Sequence, residues 1–131
     1  EKYQILQKDI SDKTYILYLP FNEIHDLGLL FLHHEIIING HKSIYLGRSL
    51  PIENLIDLNN HFKKITYITY LTVEPEENEI ENYINDFNNT ILKDNDNELL
   101  IFGRKAMTIN SEKLPQKIQS IANMQDFLGT L

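Results

Sequence analysis

Cysteine is missing from the chain altogether. That excludes disulfides, cysteine-ligated zinc and a catalytic thiolate, and it fits a reducing compartment. Also missing is any apolar run of the roughly 18 residues that a membrane-spanning helix needs. The charged start EKYQILQKD is no secretion signal, so a soluble, cytoplasmic protein is the expectation. Basic residues are scarce: 12 Lys and Arg stand against 19 Asp and Glu, a formal net charge of −7. Such a balance repels phosphate backbones, and direct nucleic-acid binding by this segment is not expected. No G-x-G-x-x-G or G-x-x-x-x-G-K-[ST] string occurs, which removes the dinucleotide and phosphate-loop readings. There is no internal repeat and no low-complexity linker.

What is there suffices for one domain. The 131 residues, 42% of them hydrophobic, can bury one core and are too few for two ordinary domains. The chain begins at Glu1 rather than at a methionine, and the expectation is a piece of a longer protein. Residues 1–12 read as the tail of an upstream helix with a linker, because Tyr3, Ile5, Leu6 and Ile10 recur at nearly helical spacing before ISDK breaks the pattern. An N-terminal arm packed on the domain is the alternative. Residues 13–131 form the domain itself.

The organising stretch runs from Phe21 to Gly47. Before it, TYILYLP (14–20) is a run of β-branched and aromatic residues stopped by proline, the mark of a buried strand. A loop with Glu23, His25 and Gly28 follows. Then comes a helix over 26–38, with Leu27, Leu30, Phe31, Ile36 and Ile37 available for burial and Gly40 as its stop. HKSIYLG supplies strand two. Ser49 as N-cap and Pro51 in the first turn predict a second helix carrying Ile52, Leu55, Ile56 and Leu58. ITYITYL (65–71) is strand three, and an acid-rich first turn opens a third helix with Ile80, Tyr83, Ile84 and Phe87 as its apolar stripe. ELLIFGR is strand four, KIQSI a short strand five, and Asn123 caps a terminal helix. Strands alternating with helices through short loops predict an α/β, doubly wound, five-stranded parallel sheet with right-handed crossovers, flavodoxin-like or Rossmann-like. In such folds ligands sit at the carboxyl edge of the sheet.

Several residues have plain readings. His33 and His34 lie on the helix and its edge, and His41 and His61 at element ends in solvent. The acidic run Glu74, Glu76, Glu77, Glu79 and Glu81 is a solvated first turn more economically than a divalent-metal site. A phosphoacceptor receiver domain would need an aspartate at the end of strand three, where this chain has Thr69 and Leu71.

Taken together, Glu23-x-His25-x-x-Gly28, Gly40 through Leu46-Gly47, Thr69-x-Leu71 and Gly103 at the end of strand four resemble the cobalamin-binding Rossmann-like domain. That domain is found in methionine synthase, in cobalamin-dependent mutases and in light- or corrinoid-sensing regulators of the MerR family. The order and spacing match from Thr14 to Leu131, and Glu23 in place of the more usual aspartate is similar to the regulator branch. The resemblance implies that His25 is the axial ligand of the corrinoid cobalt, an imidazole on a mobile loop whose other nitrogen is fixed by a carboxylate such as Glu23. It implies that Gly28, Gly47 and Gly103 leave room for the nucleotide tail. Thr69 takes the place of the family's serine, with Leu71 packing near it. Arg104 replaces the second glycine of the family's Gly-Gly and offers a guanidinium to the tail phosphate.

As a whole the resemblance implies a non-enzymatic sensory domain of a MerR-type transcriptional regulator. It would bind cobalamin as adenosylcobalamin or methylcobalamin, and reach DNA only through an upstream helix-turn-helix. It would have no membrane partner, and it could form a homo-oligomer. The alternatives are a cobalamin carrier domain of a methyltransferase or mutase, and a ligand-free interaction module with the same fold.

Overall fold

The computed structural model describes residues 13–131, so the helical tail expected over 1–12 lies outside the described residues. Strand β1 (Lys13–Pro20) leads into α1 (Leu27–Ile38) and β2 (Lys42–Leu50). A 3-10 helix (Ile52–Asn60) then precedes β3 (Lys64–Tyr70), and a single 3-10 turn (Glu77–Glu79) feeds α2 (Ile80–Thr90). After β4 (Glu98–Phe102) come 3-10 turns at Arg104–Thr108 and Ser111–Lys113, then β5 (Ile118–Ser120) and α3 (Met124–Leu128). The five strands lie in the order β2-β1-β3-β4-β5, all parallel. The expected doubly wound sheet is therefore present.

Because β1 is inside the sheet, both of its faces are covered. Ile16 and Tyr18 point to one face, with Ile65, Tyr67, Ile84, Phe87 and Ile101. Tyr15, Leu17 and Leu19 point to the other, with Leu29, Leu32, Ile36, Ile68, Phe102 and Phe127. The reversal of strand order lies between β1 and β3, which leaves the loops after those two strands side by side at the carboxyl edge.

Helix α1 is turned differently from the sequence expectation. Leu29, Leu32 and Ile36 are buried, each worth about 1.5–3 kcal/mol, whereas Leu27, Leu30, Phe31 and Ile37, four of the five residues expected inside, are exposed. A helix written LGLLFLHHEIII is apolar on every side, so periodicity cannot choose its phase. A contact does: Gly28 faces the ring of Tyr70 on β3, and the positions four and eight residues on, Leu32 and Ile36, then face the sheet as well. His33 binds Ser43 through Nδ1 at 2.7 Å.

The second expected helix is a 3-10 helix, and its N-cap is Pro51. Ser49 still belongs to β2, with φ of 56°, and its Oγ accepts from the Asn22 N–H at 3.1 Å instead of capping. Asn123 does cap α3, accepting from the Gln125 N–H. Among the described residues no helix is long and apolar enough to cross a membrane.

Candidate functional site

The loop from Phe21 to Asp26 is held by its own backbone. Asn22 adopts φ of 71°, in the left-handed region that Asn tolerates better than most residues. Its N–H reaches Ser49, while the Ser49 N–H donates to the Glu23 carbonyl at 3.2 Å. The Glu23 N–H closes a tight turn onto Pro20 O at 2.9 Å. Asp26 anchors the far end, accepting from the Tyr45 hydroxyl at 2.7 Å with Arg48 Nε at 3.8 Å. Burial first, then the Asp26 carboxylate, pushes the Tyr45 phenol up to about 12.

Glu23 is fully buried between the two switch-point loops. Its Oε1 accepts the backbone N–H groups of Thr72, Val73 and Glu74 at 3.3, 2.7 and 2.8 Å. Its Oε2 accepts the His25 N–H at 2.9 Å and lies 2.7 Å from His25 Nδ1. Burial opposes ionisation, but the backbone donors of Glu74, His25 and Val73 and the His25 ring outweigh it, and the carboxyl is held down at about 2. A carboxylate only accepts, so Nδ1 carries the proton, and in the neutral ring the lone pair is on Nε2. The His25 side chain is 57% exposed against 0% for Glu23, and among the described residues Nε2 has no hydrogen-bond partner. The result is an oriented, available imidazole nitrogen at the carboxyl edge.

The loop after β3 is gripped from the other side by Lys105. Its N–H donates to Leu71 O at 3.0 Å, and its ammonium donates to Val73 O and, at 2.7 Å, to Pro75 O. Glu23 thus takes the loop's donors and Lys105 its acceptors. Nothing in the sequence marks Lys105 for this task, because its partners lie some 30 residues away along the chain.

The other expected site residues divide between the two sides of the sheet. Gly28 and Gly103 both border Tyr70. Gly103 has φ of 102°, and a Cβ there would lie 2.6 Å from Leu71 O and 2.8 Å from Leu71 N. Gly47, φ 92°, is at the irregularity where β2 shifts register against Leu17 and Tyr18; a Cβ there would make only an ordinary 3.7 Å contact with Tyr45. Its glycine serves the bulge. Thr69 donates its hydroxyl to Tyr18 O at 2.9 Å, and Leu71 joins the core formed with α2. Both therefore face away from Gly28, and the residue of β3 turned toward it is Tyr70, which alternation along the strand could have indicated. Arg104 is exposed beside Gly103.

Among the described residues there is no group of three or more His, Asp or Glu side chains able to hold a metal ion. His25 alone cannot capture a free ion, but one imidazole suits a metal whose equatorial positions are already filled by a macrocycle.

No family model matches the chain, and no curated protein matches it in sequence. Solved structures do. The monomethylamine corrinoid protein of Methanosarcina barkeri superposes with a TM-score of 0.70 at 14% identity, covering 92% of this chain and 57% of that one. A cobalamin-binding protein from Desulfitobacterium hafniense DCB-2 gives 0.60 at 13% identity, covering 89% and 56%. The chain spans little more than half the length of either. At these identities the likeness is one of architecture, and the architecture of this chain is the one it shares with a corrinoid protein and a cobalamin-binding protein.

Proposed function

We propose that the chain is a corrinoid-binding domain that takes the cobalt of cobalamin through His25 Nε2 at the carboxyl edge of the sheet. The observation that carries this reading is the Glu23–His25 pair, with Nδ1 held 2.7 Å from a buried carboxylate and Nε2 left open. Metal-ligating histidines are oriented in this way by a carboxylate on the second nitrogen. A flat macrocycle needs an exposed edge rather than an enclosed cavity, and the half-exposed ring offers one. When bound, the cobalt would supply the chemistry of its upper ligand, methyl or adenosyl. This chain would bind, orient and tune it. Arg104, exposed beside Gly103, is the guanidinium available to a phosphate at that edge.

Two roles fit such a domain. Glu23 in the first motif supports the effector domain of a MerR-type regulator, which would contact DNA through a helix-turn-helix outside this segment. The likeness to a corrinoid protein supports a carrier that presents the corrinoid to a methyltransferase or mutase partner. The coding sequence on either side separates them: a helix-turn-helix supports the regulator, a methyltransferase or mutase module the carrier.

Binding itself is tested by titrating the protein in the dark with hydroxocobalamin and adenosylcobalamin, following the visible spectrum and co-elution on gel filtration. Retention with a spectral shift in the wild type, lost in His25→Ala, is expected. Retention of both corrinoids with the same spectrum by His25→Ala would remove His25 as the ligand.

A further inference from the structure

One aromatic ring fills the space between two glycines at the carboxyl edge. A Cβ on Gly28 would lie 2.5, 2.6 and 2.8 Å from Cζ, Cε2 and the hydroxyl of Tyr70. A Cβ on Gly103 would lie 2.9 Å from Cδ1 of the same ring. The ring continues inward as a column: Tyr70 stacks on Phe102, centroids 6.4 Å apart and planes within 10°, and Phe102 meets Phe127 of α3 edge-on at 5.3 Å. The half-buried Tyr70 hydroxyl has no hydrogen-bond partner among the described residues, so it is not fixed by a polar tether. The absence of side chains at Gly28 and Gly103 opens no passage here, because Tyr70 already occupies it.

We propose that Tyr70 is a specificity-determining residue that closes the space beside the sheet to the nucleotide tail of a corrinoid, so that the chain engages the ring and leaves the tail outside. The proposal rests on the corrinoid reading above. It differs from what the resemblance implied for Gly28 and Gly103, which were expected to make room for that tail. A planar base cannot share a space that a phenol ring fills, and entry would require the ring to leave its stack on Phe102. Corrinoid selectivity at this site then comes from the ring and its metal, and a corrinoid lacking the nucleotide loop is at least as good a ligand as one that carries it, because it has no base of its own to release from the cobalt.

The test compares aquocobinamide, which has no nucleotide loop, with hydroxocobalamin on the wild-type chain, on Tyr70→Ala and on Tyr70→Phe. Wild type and Tyr70→Phe are expected to bind aquocobinamide at least as tightly as hydroxocobalamin, whose own base must first leave the cobalt, while Tyr70→Ala gains about tenfold or more for hydroxocobalamin alone. A wild-type preference of tenfold or more for hydroxocobalamin overturns the proposal and leaves the corrinoid reading intact. Failure of either corrinoid to bind any of the three proteins overturns both. A readout without ligand accompanies it: Gly28→Ala is expected to lower the urea midpoint in the wild type and to have little effect in the Tyr70→Ala background. Equal effects in the two backgrounds would mean that the ring does not occupy the space beside Gly28, and the proposal would fall on that result alone.

Discussion

The Glu23 carboxylate lies 2.7 Å from His25 Nδ1 on one oxygen and takes the N–H groups of Thr72, Val73 and Glu74 on the other. One buried side chain therefore sets the orientation of the candidate ligand and the course of the loop after β3. Loss of Glu23 should be felt in both. A carboxyl lowered from 4.5 to about 2 corresponds to about 3 kcal/mol of folding stability. Glu23→Ala, which also leaves buried donors unsatisfied, is expected to cost at least that much in urea unfolding. Glu23→Gln should cost less, since its amide oxygen can still accept from the loop but its NH2 opposes the His25 donors.

The same group fixes the acid limb of the stability profile. Its folded value is below its unfolded value, so its contribution is fully present above pH 4.5 and declines as the pH falls toward 2. Wild type is expected to lose stability over that window by more than Glu23→Gln does. Parallel pH profiles of the two proteins would contradict the assignment.

At the alkaline end, tyrosines dominate. Burial, the charge of Tyr83 and the 2.5 Å bond between the two hydroxyls raise Tyr18 well above its usual range, and burial raises Tyr67 and Tyr83 too. Groups raised in the folded state contribute stability that is complete below pH 10 and is lost as the pH rises beyond it. Tyrosinate absorbance is expected to rise for these residues together with loss of ellipticity, in one unfolding step. A smooth titration of all seven tyrosines near pH 10 with the fold retained would contradict this.

Two glycines separate backbone strain from crowding. Gly40 has φ of 90° and open space where a Cβ would stand, with no atom within 4 Å, whereas Gly103 has φ of 102° and the Leu71 backbone at 2.6 Å. Gly40→Ala should cost about 1 kcal/mol, the left-handed penalty alone. Gly103→Ala should exceed that by 1 kcal/mol or more, roughly, because backbone rather than a flexible side chain is in the way. Urea midpoints decide it.

The phase of α1 is open to a similar comparison. Leu32 is fully buried and Leu30 is 41% exposed. Leu32→Ala should cost about 2–5 kcal/mol and Leu30→Ala roughly 1 or less. The reverse order would restore the face that periodicity alone suggested.

Much of the fold was legible because its strands are short apolar runs of β-branched and aromatic residues between turn signals: ITYITYL and ELLIFGR could be little else. The alternation of strands and helices then dictated a parallel sheet. Less legible was anything settled by residues far apart in the chain. Helix α1 is apolar all round, and its phase comes from Gly28 meeting Tyr70, two strands further along the chain. Ser49 carries a capping residue's side chain but spends it on Asn22, across the edge. At the site, Glu23 and His25 could be paired from their spacing. The role of Glu23 for the loop after β3, the grip of Lys105 and the place of Tyr70 depend on the switch point bringing two loops together, which no local pattern records.

The claim that His25 Nε2 is the cobalt ligand is tested most directly by electron paramagnetic resonance of the cob(II)alamin complex, prepared with protein histidines of natural abundance and with histidines labelled with nitrogen-15. Ligation by His25 predicts a superhyperfine triplet that becomes a doublet on labelling the protein, and no such doublet in labelled His25→Ala, where the corrinoid's own base takes the cobalt. A splitting that ignores the label, and so arises from the corrinoid's own base, would contradict the account.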